Sequence, residues 1–242
     1  MWAAFFFIGT MFGSAANALI DRLPIGKSWV SGRSMCDKCK HVLEWNDLFP
    51  VWSYVFLGGK CRYCHSPIPM RNLWVEILVG LGFSFLFYRF GIGYNTMLLM
   101  LVFWITTIIA VMDLETRLVS EVMVAVWAAL ILVLQVQVIS WGNLLGLGIG
   151  LLVIGGVWFF SRGRAMGFGD VEISAVMGFW LSWQKISVAL WLAFVLGAIA
   201  GLVQVVNKKA NMKSQMAFGP YLILGTWLSF LFGEKILGVW GL

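Results

Sequence analysis

An all-helical, polytopic membrane protein of about eight spans with a small metal-binding insert is the fold class this sequence predicts, and three observations predict it. Apolar residues make up 61% of the 242 and charged residues only 12%, against roughly half and a quarter in a soluble domain. The apolar residues fall into long blocks, as they must where each helix supplies about 20 residues to cross about 30 Å of hydrocarbon. All four cysteines lie in the one long polar stretch. A single water-soluble core is excluded on composition.

In chain order the spans read Trp2–Ile20, Leu73–Phe90, Thr96–Met112, Val122–Ile139, Asn143–Phe160, Gly167–Trp183, Ile186–Val206 and Phe218–Phe232. The sixth is the weakest, because Asp170 and Glu172 stand at its start; seven spans are the alternative. Met1–Ile20 lacks the basic start and small-residue cleavage site of a signal peptide, so it reads as a retained helix. Orientation follows from Lys and Arg, which short cytoplasmic loops retain. With eight spans, segments 21–72, 113–121, 161–166 and 207–217 share one side and hold 14 of the 17 basic residues; only Arg89, Lys185 and Lys235 fall opposite. The expectation is four cytoplasmic segments with both termini outside, in a bacterial inner membrane. Omitting the sixth span would export Lys208, Lys209 and Lys213. The net charge of +6 then reads as a topology signal beside anionic lipid rather than a nucleic-acid surface. The division expected is a first helix over 1–20, an insert over 21–72 and a membrane-embedded domain over 73–242, with no internal repeat.

The insert carries Cys36-x-x-Cys39 and Cys61-x-x-Cys64, separated by 21 residues, the paired-knuckle spacing of a zinc ribbon. Zinc takes four ligands in a tetrahedron, and each C-x-x-C turn offers two thiolates. Two disulfides are the alternative, which a reducing cytoplasm disfavours. His41 and His65 read as neighbours rather than ligands, since four sulfurs fill the site. A stretch of about 50 residues is too short for a large core, which gives a metal staple its physical reason. Trp45, Phe49, Trp52, Tyr54, Phe56 and Tyr63 supply aromatic area for packing on the knuckles or at the bilayer interface.

Six acids lie in or beside spans: Glu76, Asp113, Glu115, Glu121, Asp170 and Glu172. Such groups are expensive in lipid and are functional candidates by default. Asp113 closes the third span and Asp170 opens the sixth within Gly167-Phe168-Gly169-Asp170, so the topology brings both to one membrane boundary. Two carboxyls held within a few Å cannot both ionise cheaply. The ionised one can deprotonate water attacking a peptide carbonyl while its partner hydrogen-bonds the carbonyl oxygen, which is aspartyl protease chemistry. Gly167 and Gly169 let backbone approach a partner helix or an extended substrate. Helix capping is the plainer reading of both aspartates. Glu76, one and a half turns into the second span, reads as structural pairing or substrate support, and Asn17 as helix-to-helix hydrogen bonding.

The chain resembles the type IV prepilin peptidases, or leader peptidase/N-methyltransferases, in several ordered blocks. These are Gly13-Ser14 with Asn17-Ala18-Leu19-Ile20-Asp21-Arg22-Leu23-Pro24, the double C-x-x-C insert with Pro67-Ile68 and Val75-Glu76, Asp113-Leu114, Gly167-Phe168-Gly169-Asp170, and Phe218-Gly219-Pro220-Tyr221. The resemblance implies that Asp113 and Asp170 are the catalytic pair of an intramembrane aspartic protease. Its substrates would be prepilins or pseudopilins of type IV pili and type II secretion, with a short basic leader and a hydrophobic helix, cut after a glycine at the cytoplasmic membrane edge. It also implies methylation of the new N-terminus with S-adenosylmethionine, for which no residue forms a recognisable pocket. Two departures stand out: Leu118-Val119-Ser120-Glu121 where the family has an Ile-Pro-Asp-like continuation, and Glu172 where it has a lysine. The competing classes are a proton-coupled transporter, whose acids would sit near the midplane, and a non-catalytic scaffold bearing the insert.

Overall fold

The computed structural model describes residues 1–27, 33–36, 38–207 and 216–240. The described residues are helical, with two isolated antiparallel bridges and no strands. Helix α1 runs Trp2–Arg22, a short α2 Trp52–Phe56, α3 Met70–Phe90, α4 Tyr94–Thr116 and α5 Glu121–Gln135. Then α6 covers Trp141–Gly150, a π-helical turn Leu151–Gly155, α7 Gly156–Ser161, α8 Phe168–Val206 and α9 Gly219–Trp240. The chain divides into two compact units, Met1–Ile108 and Ile109–Leu242.

In the first unit α1 and α3 run antiparallel. A Cβ on Gly13 would stand 2.6 Å from the Glu76 Cα, so only glycine allows the approach. The Phe5 and Phe87 rings stack at 4.3 Å, and the Asn17 amide donates to the Asn72 carbonyl at 3.0 Å, the helix-to-helix bond expected of it. Trp104 of α4 donates to the Phe12 carbonyl at 2.8 Å. Asp21 and Arg71 pair at 2.8 Å where α1 ends and α3 begins.

In the second unit α8 is 39 residues long but leaves helical geometry at Ser182, with φ 65° and ψ 171°. Gly150 stands against both Ser174 and Ile186, so the halves of α8 before and after Ser182 lie side by side rather than end to end. The break frees carbonyls on the preceding turn, and neighbouring helices supply donors. The Asn143 amide donates to the Phe179 carbonyl at 2.8 Å and the Gln135 amide to the Trp180 carbonyl at 2.6 Å. Asn143 also caps α6, accepting the Ser140 N–H at 2.9 Å. Trp180 packs between Trp127 of α5 and Trp227 of α9.

Among the described residues six helices are long and apolar enough to span a membrane: Trp2–Ile25, Met70–Phe90, Tyr94–Thr116, Trp141–Ser161, Phe168–Val206 and Gly219–Val239. Reaching eight takes the 15-residue α5 as a span and α8 as two, divided at Ser182. Helix α4 continues through Asp113 to Thr116 rather than ending at Met112. Lys208, Lys209 and Lys213, which weighed in the orientation count, lie outside the described residues.

Candidate active site

Asp113 and Asp170 line one cleft of about 340 Å³ within the second unit. Asp113 stands in the last turn of α4 and is 5% exposed; Asp170 stands in the first turn of α8 and is 7% exposed. Arg117 takes a left-handed conformation, φ 56°, just past the end of α4. It donates its N–H to the Asp113 carbonyl at 2.9 Å, turning the chain toward Val119 and the cleft.

Each carboxyl group is held by backbone. The Gly167 N–H donates to Asp170 Oδ2 at 3.1 Å, so Asp170 caps its own helix. The Gly219 N–H, at the start of α9, donates to Asp113 Oδ2 at 3.0 Å. A Cβ on Gly219 would lie 2.7 Å from that oxygen, which is why glycine stands there. A Cβ on Gly169 would lie 2.5 Å from the Val119 Cβ, so this glycine lets the start of α8 close against the segment after α4. The two carboxyls interact electrostatically, the condition under which one proton is shared out unequally. Glu121 and Glu172, the two departures noted in the sequence, also line the cleft, as do Arg117 and Arg164.

Glu76 belongs to the first unit and has other partners. It is 8% exposed, accepts the Val51 N–H at 2.7 Å and is hydrogen-bonded to Ser14. Gly219 was visible in the sequence only as part of an unexplained Phe-Gly-Pro-Tyr block; glycine followed by proline at a helix start was its one local signal.

The four cysteines form a second constellation, in the first unit. Their sulfurs lie within 4.8 Å of one another, with Cys36 and Cys64 at 3.8 Å. Tetrahedral zinc with bonds of about 2.3 Å sets sulfurs about 3.8 Å apart, so the donor set fits such an ion. None of the four is in a disulfide. Each knuckle closes alike: the Cys36 N–H donates to the His41 carbonyl at 3.0 Å and the Cys61 N–H to the Ser66 carbonyl at 2.8 Å. The Ser66 hydroxyl, unmarked by any sequence motif, lies 3.6 Å from Cys36 Sγ and 3.1 Å from Cys64 Sγ. Backbone at Cys39 and the Ser66 hydroxyl hold the Cys36 thiol down at about 6, and Ser66 lowers Cys64 too, favouring thiolates at those two, whereas burial and the neighbouring Cys36 and Cys64 push Cys39 up to about 11. His41 instead lies against the Tyr63 ring, 3.7 Å between centroids.

Comparison with known proteins covers most of the chain. Residues 7–90 match the family model of the bacterial peptidase A24 N-terminal domain, and residues 100–202 match that of the type IV leader peptidase family. A prepilin leader peptidase/N-methyltransferase of Aeromonas hydrophila is 28% identical over 262 residues, covering 96% of this chain and 90% of that protein. Proteins of the same name from Pseudomonas aeruginosa and Bacillus subtilis are 27% and 25% identical, each over at least 95% of this chain and 89% of their own length. No solved structure matches.

Proposed function

Since the chain belongs to the type IV leader peptidase family, we propose that Asp113 and Asp170 form the catalytic pair of a prepilin leader peptidase. The observation that carries this reading is that both buried carboxyls face one cleft, each fixed by a backbone N–H. One carboxylate takes a proton from the attacking water. The other, protonated, hydrogen-bonds the scissile carbonyl and then protonates the leaving amine. Substrates are type IV prepilins or pseudopilins, which present a basic leader ahead of a hydrophobic helix. The cleft opens on the cytoplasmic side of a bacterial inner membrane, with both termini on the other, the sidedness supported by 14 of 17 basic residues.

The cysteine cluster holds a structural zinc, staple of the insert rather than part of the hydrolysis. The relatives' name also carries a methyl transfer, for which S-adenosylmethionine is the donor. The open hollow of about 400 Å³ beside α2 does not fit that donor: its one charged lining residue, Arg62, is held by Asp47 at 2.7 Å.

Cleavage of a model prepilin by the purified protein tests the dyad. Asp113→Ala and Asp170→Ala are each expected to lower turnover by about 10³-fold with helix content unchanged; full activity in both sinks the assignment. Labelled S-adenosylmethionine in the same assay tests methyl transfer separately.

A further inference from the structure

Residues 48–57 of the first unit carry an arrangement that the peptidase chemistry does not use. Val51 sits at φ 63° and ψ −51°, and the Trp52 N–H donates across it to the Pro50 carbonyl at 2.6 Å. That is a γ-turn of the strained hand, centred on a β-branched residue. Its cost is offset by partners: the Val51 N–H goes to the buried Glu76 carboxyl of α3 at 2.7 Å, and Pro50 has no N–H to satisfy. Around them Ser53 donates to Phe49, Val55 to Val51 and Leu57 to Ser53, each at 3.0 Å.

This segment sits beside the spans, below their charged ends. Glu76 is six residues past Met70, about 9 Å along α3. The Phe49 ring lies 5.4 Å from that of Phe7, a residue about 22 Å along α1 from its Arg22 end. The Asp21–Arg71 pair marks those charged ends. Yet three side chains of the segment face outward, Trp52 56%, Val55 61% and Phe56 80% exposed, while Pro50 is buried. An irregular backbone at membrane depth needs internal partners for its polar groups, and aromatics concentrate where hydrocarbon meets headgroups. Here the Val51 N–H has such a partner in Glu76, and Trp52 and Phe56 supply exposed aromatics.

We propose that residues 48–57 form a re-entrant wedge in the bilayer, with Phe49, Trp52 and Phe56 among phospholipid acyl chains and Glu76 anchoring the turn through the Val51 N–H. The metal knuckles stay in water, and the segment between them dips into lipid.

The test places photoreactive p-benzoylphenylalanine at position 52 or 56 of the full-length protein, in vesicles of phosphatidylethanolamine and phosphatidylglycerol. Position 81, exposed on α3, and position 35, exposed on the first knuckle, serve as lipid-facing and aqueous references. Positions 52 and 56 are expected to attach to lipid within about 2-fold of position 81 and about 10-fold above position 35. Labelling at the level of position 35, or attachment to a second copy of the chain or to a co-reconstituted prepilin, overturns the proposal. With the probe at 56, Glu76→Gln retains an acceptor and is expected to keep the lipid yield. Glu76→Leu should lower it about 3-fold or more while position 81 still labels; an unchanged yield overturns the anchoring role.

Discussion

Asp113 and Gly219 are far apart in sequence and meet through one hydrogen bond of 3.0 Å. Replacing Gly219 by alanine puts a methyl against the carboxyl oxygen and pushes Asp113 away from the α9 terminus. A misplacement of about 1 Å in catalytic geometry costs on the order of 100-fold in rate. Gly219→Ala is therefore expected to lower prepilin turnover 10- to 100-fold with KM changed little, measured in detergent beside thermal unfolding. Ser66 is the corresponding residue at the metal cluster. Its hydroxyl stabilises the Cys36 and Cys64 thiolates, so Ser66→Ala moves both thiols up toward their ordinary range. Protons then compete better with metal, and the midpoint of acid-induced metal release shifts to higher pH. Titration of bound zinc with a chromophoric chelator reads that shift, and a midpoint that stays or falls contradicts it.

At the scale of elements, the break in α8 explains why polar residues sit at the ends of α5 and α6. Asn143 is 5% exposed and serves α6 and α8 together, as the cap of one and the donor to a freed carbonyl of the other. Asn143→Ala leaves the Phe179 carbonyl and the α6 start unmet, at an expected cost of about 1–3 kcal/mol. Reversible unfolding in mixed micelles measures it, and a loss below about 0.5 kcal/mol would mean that water or another donor fills in. Apolar blocks alone placed a span boundary between Trp183 and Ile186, just past the break at Ser182. Hydropathy marks where apolar runs pause. It does not say how the chain turns there: Ser182 leaves helical geometry, and the two halves of α8 pack against each other.

For the molecule as a whole, two kinds of stabilisation divide the chain. The spans hold by burial, close glycine contacts and hydrogen bonds that lipid cannot replace. The insert has few buried apolar residues, and its four cysteines are grouped closely enough to hold the zinc proposed as its staple. Chelation is expected to release one zinc per chain and open the knuckles to trypsin at Lys38, Lys40 and Lys60, while circular dichroism of the membrane helices changes little. Metal analysis with mapped proteolysis checks this, and resistance of those lysines after full metal loss contradicts it.

Composition and motif spacing by themselves determined the class of this protein: helices rich enough in apolar residues to live in lipid, a four-thiolate cluster, and two aspartates at corresponding helix ends. Those properties are local, set by residue type and by distances of a few positions along the chain. The tertiary structure decided what distant residues do for one another. Gly219 reaches Asp113, Val119 meets Gly169, Asn143 mends the break in α8, and Glu76 accepts the Val51 N–H. Each of these depends on how backbone polar groups find partners across separate helices, a requirement that lipid enforces and that no short sequence pattern records.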